Sequence, residues 1–248
     1  MASTLVVFDY DWSLVNENSD TFIFKLLCPE LLDELSSRLE QQPSWTRVMD
    51  DLLGELHSRQ PHVTPRDIKA TLAQVPILPR MLDAVRLAVE THGATVKIVS
   101  DANSVYIQSM LDHHQLHEHI TEVVTNPAAF EADSSRLRVR PYHPLEAEPH
   151  GCPLCPKNMC KGRILDRIHR AKAYDRVIYI GDGPGDFCAA LRLTSDDVVL
   201  ARADEEDGKK YGLLKRLIAN AEQVQARVVQ WRSGEDVYAT FESEFQKE

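Results

Sequence analysis

Hydrophobic and polar positions change period twice within the first eighty residues. Thr4 to Phe8 is a short, unbroken apolar run rich in β-branched residues that stops at Asp9, the pattern of a buried strand ending in a carboxylate. From Trp45 the interval lengthens. Trp45, Val48, Met49, Leu52, Leu53 and Leu56 recur at helical spacing, and Thr64-Pro65-Arg66-Asp67 carries a capping-box pattern with proline at the first helical position. Residues 14–80 therefore read as a helical module. Strand character returns at Thr95 to Val99, followed by a helix from about Ser104, a strand near Glu122 to Thr125, and a proline-rich stretch expected to be irregular from Asn126 to Lys157. A second strand-to-carboxylate junction spans Arg176 to Asp182, and the alternation closes with a strand at Val198 to Leu200, a helix near Lys209 to Asn220 and a helical tail. Strands alternating with helices predict an α/β protein with a parallel sheet, interrupted by an all-helical insertion directly after its first strand.

Composition narrows the classes of function. The 248 residues include 28 Lys and Arg against 38 Asp and Glu, a formal net charge of −10, which argues against binding a polyphosphate backbone. Apolar runs such as Leu5 to Phe8 and Val177 to Ile180 fall far short of the ~20 residues that span a bilayer. The N-terminus reaches an acidic motif before any hydrophobic region of signal-peptide length, so a cytoplasmic, reducing location is expected. In that setting the five cysteines, three of them between Cys152 and Cys160, suit thiols or metal ligands better than a disulfide framework.

In an open parallel sheet, ligands bind at the carboxyl ends of the strands, where this sequence carries Asp9 and Asp11, Ser100 and Asp101, Thr125 and Asn126, and Asp182 with Asp186. Two acidic pairs converging there repel unless a cation neutralises them, and an all-oxygen, partly hydrated site suits Mg²⁺. Taken singly, each Asp could instead cap the helix that follows it. Taken together, a DxD, a Ser after a strand, a Lys and a GDGxxD in that order point to one site.

Asp9-Tyr10-Asp11-Trp12-Ser13, Val99-Ser100-Asp101, Lys161 and Gly181-Asp182-Gly183-Pro184-Gly185-Asp186 resemble the four motifs of haloacid dehalogenase superfamily phosphatases. More narrowly, the strings VNENSD, IVSDAN, CPKNMCKG and GDGPGDF are similar to those of the phosphoethanolamine/phosphocholine phosphatase family, and the resemblance runs from about residue 4 to 192. Trp12 is bulkier than the usual residue there, and Ser13 stands where Thr is commoner. The resemblance implies a Rossmann-like core, residues 1–13 and 81–248, with a helical cap of residues 14–80. It also implies that Asp9 attacks phosphorus to form an aspartyl-phosphate and that Asp11 acts as general acid and then base. Ser100 and Lys161 would stabilise the phosphoryl oxygens. Mg²⁺ would be held by Asp9, the Asp11 carbonyl, Asp182 and Asp186. Lys157 competes with Lys161, but the family lysine follows NMC, which selects Lys161.

Asp20 and Asp101 align with positions linked to choosing a phosphorylated amine, and Tyr10, Trp12 or Trp45 could offer a cation-π face. Both acids also precede helices and could be plain N-caps, and Asn103 could orient Asp11 or the substrate, or only cap a helix. The expected substrate is a small phosphomonoester, phosphocholine or phosphoethanolamine first. The same chemistry on thiamine monophosphate, pyrophosphate, pyridoxal phosphate or phosphoserine is the alternative, and a non-catalytic binding protein is a further one. His150, Cys152, Cys155 and Cys160 have zinc-like spacing, which would rigidify the segment delivering Lys161, although packed thiols are the plainer reading. His113 and His117 lie four apart on an expected helix, and with no carboxylate motif beside them they read as a solvated face.

Overall fold

Each buried run of the sequence becomes a strand of one sheet. The structure, a computed structural model, describes residues 3–144, 150–206 and 208–247. Its six-stranded sheet has the order β3-β2-β1-β6-β7-β8. β1 (Thr4–Phe8) lies between β2 (Thr95–Asn103) and β6 (Arg176–Gly181). β3 (Glu122–Asn126) flanks β2, and β7 (Val198–Arg202) and β8 (Arg227–Trp231) extend the other side. All its pairings are parallel, with Phe8 level with both Ile98 and Ile180.

Five helices follow β1: α1 (Ser19–Leu27), α2 (Glu30–Asp33), α3 (Leu35–Gln41), α4 (Trp45–Arg59) and α5 (Pro65–Leu72). The rest are α6 (Met81–Arg86), α7 (Ser104–His114), α8 (Lys161–Ala171), α9 (Phe187–Ala190), α10 (Leu213–Ala219) and α11 (Gly234–Phe245). Parallel strands need crossovers, so helices cover both faces of the sheet. The alternation along β1 divides them. Val6 and Phe8 join Ile98 and Ile180 beneath α6, α7 and α11, whereas Leu5 and Val7 join Val177 and Tyr179 beneath α8, α9 and α10.

The helices α1 to α5 bury their own cluster, including Ile23, Phe24, Leu52, Leu56, Ile68 and Leu72. The capping box expected at Thr64 and Asp67 is present at the start of α5. This cluster also takes in Leu137 and Val139, which belong to a hairpin of β4 (Ala128–Phe130) and β5 (Leu137–Val139). The stretch expected to be irregular therefore contains an antiparallel pair, whose three-residue strands are too short to show a period. Asp50 of α4 secures it, accepting from Val139 N–H at 2.8 Å and from Arg138 Nη2 at 3.0 Å. The tail holds β8 as well as α11. As the sheet's edge, β8 is mostly exposed and lacks the buried apolar run that betrays the inner strands. The helix expected from Lys209 starts only at Leu213.

Sheet order reverses direction between β1 and β6: β2 follows on one side of β1, and β6 and β7 on the other. A crevice opens at such a switch point, outside the carboxyl ends of the strands.

Candidate active site

β1 and β6 end together, with Asp9 N–H donating to the Ile180 carbonyl at 2.9 Å. Asp9 and Asp182 follow these strands into the crevice. Asp186 folds back beneath them, its Oδ2 accepting from the N–H groups of Asp182 at 3.2 Å and Gly183 at 3.0 Å. A Cβ on Gly181 would stand 2.7 Å from that carboxylate oxygen, so the turn requires glycine there. The other oxygen of Asp186 accepts from Tyr179 Oη at 2.7 Å and from Lys161 Nζ at 2.8 Å. Lys161, the first residue of α8, also reaches Asp9 Oδ2 at 2.7 Å. Ser13 Oγ donates to Asp182 Oδ1 at 3.2 Å.

Carboxylate oxygens of Asp9, Asp182 and Asp186 lie within 4.8 Å of one another, and all three residues are buried. One ammonium among three carboxylates leaves two negative charges unbalanced. Burial, with the neighbouring Asp186 charge, accordingly raises Asp9 well above the usual carboxylate range and Asp182 to about 7. An all-carboxylate set with two charges to neutralise fits a hard divalent cation.

Asp11 takes a different direction. Its Oδ1 accepts from Ser19 N–H at 2.9 Å, and burial, then the charge of Asp20, hold its carboxyl well above the ordinary value. Its side chain does not join the three-carboxylate cluster; the sequence expectation named its backbone carbonyl, not its side chain, as the metal contact. Trp12 sits at φ 58°, a left-handed conformation uncommon outside glycine, with its carbonyl accepting from Arg202 Nη1 at 2.7 Å and Lys209 Nζ 4.1 Å above its ring.

A cavity of about 610 Å³ opens over these groups. Asp9, Asp11, Lys161, Asp182 and Asp186 line it, and so do Asp20 and Asp101. Asp20 is not an N-cap: Asn18 caps α1, and Asp20 accepts from Trp45 Nε1 at 2.6 Å. Burial pushes Asp20 up to about 7. Asp101 is not a cap either, because Asn103 fills that role for α7, accepting from Tyr106 N–H at 3.1 Å. Asn103 is fully covered and lies off the cavity wall, and so does Ser100, whose hydroxyl accepts from Ala102 N–H at 3.2 Å. The structure thus gathers seven of the sequence-predicted residues and leaves these two behind the wall.

Lys157 is exposed, which leaves Lys161 as the buried lysine of the site. His117 pairs with Asp112 on the surface, as its solvated-face reading expects. The cysteine cluster requires a correction. His150 spends both ring nitrogens locally, one on the Pro156 carbonyl and one on Cys152 N–H. Cys188 takes its place beside Cys152, Cys155 and Cys160. Sequence reasoning also missed Asn18, Arg216 and Tyr179. A lone Tyr in the aliphatic run of β6 hints at a polar tip needing a partner. Arg216, from α10, has no such signal and reaches the cavity only through packing.

Nearly the whole chain superposes on phosphoserine phosphatase structures. A substrate-bound complex gives a TM-score of 0.62 at 12% identity, covering 97% of this chain and 99% of that one. A phospho-aspartyl intermediate analogue gives 0.58, again covering 97% and 99%. The parallel sheet, with its buried carboxylates and lysine at the switch point, defines a phosphatase of the haloacid dehalogenase superfamily, a phosphomonoester hydrolase. Within it, the chain belongs to the family described as "Putative Phosphatase", which matches residues 4–244. Its relatives include a thiamine phosphate phosphatase-like protein of Arabidopsis thaliana, 35% identical over 240 residues, 95% of this chain and 93% of that one. Inorganic pyrophosphatase 2 of the same plant is 33% identical over 237 residues, 94% and 80% of the two chains. Pyridoxal phosphate phosphatase PHOSPHO2 of Mus musculus is 30% identical over 239 residues, 94% and 95%. These names match the alternative substrates expected from the sequence, and none of the three supports phosphocholine or phosphoethanolamine.

Proposed function

We propose that this protein is a Mg²⁺-dependent phosphatase whose substrate is a small phosphomonoester with a cationic aromatic group, thiamine monophosphate being the leading candidate. The observation that carries this reading is one cavity whose wall holds two chemically different sets of side chains. Asp9, Lys161, Asp182 and Asp186 form one set, suited to a phosphoryl group and its metal. Asp101, and Asp20 bonded to Trp45 Nε1, form the other, suited to a cationic ring. Asp20 and Trp45 come from residues 14–80, which we assign as a cap over the site.

Mg²⁺, held by Asp9, Asp182, Asp186 and the Asp11 carbonyl, would offset the repulsion between an anionic nucleophile and an anionic phosphate. A carboxylate oxygen of Asp9 attacks phosphorus, the ester P–O bond breaks, and the raised carboxyl of Asp11 gives its proton to the departing oxygen. Asp11, now a carboxylate, takes a proton from water as that water attacks the aspartyl-phosphate and frees Asp9. Lys161 balances charge on the phosphoryl oxygens.

Phosphate release from thiamine monophosphate, pyrophosphate, pyridoxal phosphate, phosphoserine, phosphocholine and phosphoethanolamine, each with Mg²⁺ or EDTA, tests this directly. Mg²⁺-dependent turnover is expected, fastest on thiamine monophosphate and lowered at least about 10³-fold in Asp9→Asn. Preference for a substrate without a cationic ring would overturn the assignment of Asp20, Asp101 and Trp45. Arg216 on the cavity wall favours pyrophosphate as the second reading, because a guanidinium there suits a second phosphate.

A further inference from the structure

We propose that Cys152, Cys155, Cys160 and Cys188 form a tetrathiolate site for one structural Zn²⁺ ion, which ties together the two chain segments that carry Lys161 and Asp186. The four sulfurs all lie within 4.8 Å of one another. Cys152 Sγ and Cys188 Sγ are 3.5 Å apart, and Cys160 Sγ and Cys188 Sγ are 3.8 Å apart. A tetrahedron with Zn–S bonds of about 2.3 Å has S···S edges of about 3.8 Å. The quartet therefore already has the size of a mononuclear centre, and it is compact rather than divided into two separate pairs.

The surroundings are built for the same purpose. Cys160 and Cys188 are buried, and Cys152 and Cys155 are half-buried. A second cavity of about 410 Å³, lined by Cys152, Cys188, Arg163 and Arg192, gives an ion a route in. A Cβ on Gly162 would stand 2.5 Å from Cys188 Sγ and 2.8 Å from the Cys188 carbonyl, so the first turn of α8 can approach Cys188 only with glycine there. On binding, each thiol releases its proton to solvent and donates a lone pair, and the resulting charge of −2 faces the guanidinium groups of Arg163 and Arg192. A soft, all-sulfur set selects Zn²⁺ over the Mg²⁺ suited to the carboxylate cluster.

The consequence for the active site follows from chain position. Cys160 immediately precedes Lys161, and Cys188 lies two residues beyond Asp186. One ion would thus brace the backbone on both sides of the 2.8 Å Lys161–Asp186 ion pair.

The site is independent of substrate, so its test needs no turnover. Untagged protein grown with zinc and dialysed against EDTA should retain one zinc per chain by elemental analysis. Cys152→Ser and Cys188→Ser should each lose it, whereas Cys28→Ser and Asp182→Asn should keep it. Replacing Zn²⁺ with Co²⁺ should give the visible absorption of a tetrahedral cobalt thiolate, an observation made on the wild-type fold. Wild-type protein without zinc, with all five thiols free or with disulfides within the quartet, would overturn the proposal. So would zinc lost from Asp182→Asn but kept in the cysteine variants, or bound iron in place of zinc.

Discussion

Asp20 illustrates how little a residue's neighbours in sequence say about its state. Its place before an apolar run suggests a cap, yet it lies buried in the first turn of α1, with Trp45 Nε1 as partner. Burial pushes its carboxyl up to about 7 in the folded protein, well above the ordinary aspartate value of about 4. Between those values the unfolded chain ionises this group and the folded chain keeps it protonated, so the native state holds the extra proton and stability falls as pH rises from about 4 to about 7. Asp20→Asn removes that loss. In metal-free buffer, the melting temperature of the variant relative to wild type should climb across this interval and level off above it. A constant difference from pH 4 to pH 8 would show that Asp20 is already ionised when buried. Asp9, Asp11, Asp182 and Asp186 were all legible from the sequence, because strand ends followed by acids have few other uses in combination. Ser100 was legible as a residue, but the fold leaves it fully covered behind the wall.

At the scale of elements, inner strands and long amphipathic helices announced themselves, and of the two edge strands β3 was legible while β8 was not. β1, β6 and β7 are buried along their whole or nearly whole length, so their composition is dictated by both faces of the sheet. β4, β5 and β8 are short or exposed, and their existence depends on partners distant in sequence. For the β4–β5 hairpin that partner is α4, through Asp50. Asp50→Ala should destabilise the protein by about 1–3 kcal/mol in denaturant unfolding while leaving kcat near wild type. A loss no larger than a solvent-exposed pair gives, under about 0.5 kcal/mol, would mean the hairpin is held by Leu137 and Val139 packing alone. Ser233→Ala, which removes the capping box of α11 outside the cavity lining, should cost about 1 kcal/mol without altering kcat. A changed kcat there would reveal coupling between α11 and the site through the core that Phe241 shares with Phe8.

Taken whole, the molecule carries a net charge of −10 and works on anions. The long-range field opposes approach of a phosphate, and the buried lysine and the metal act only at close range. Raising ionic strength at fixed free Mg²⁺ should therefore increase kcat/KM, more for pyrophosphate than for thiamine monophosphate, whose ring carries a compensating positive charge. Equal salt dependence for the two would show that the net charge does not act at the cavity mouth. No helix among the described residues is long and apolar enough to cross a membrane. The sequence by itself determined the parallel sheet, the helical insertion and the acids at the strand ends, and its family resemblance selected Lys161 over Lys157. The first three are fixed locally, by the period of apolar positions or by spacing within a few residues. Tertiary structure alone decided that Asp20 meets Trp45, that Arg216 reaches the cavity, and that Cys188 rather than His150 completes the sulfur quartet. Those pairings join segments far apart in the chain. Their geometry exists only once the sheet has brought its carboxyl ends and the flanking helices together.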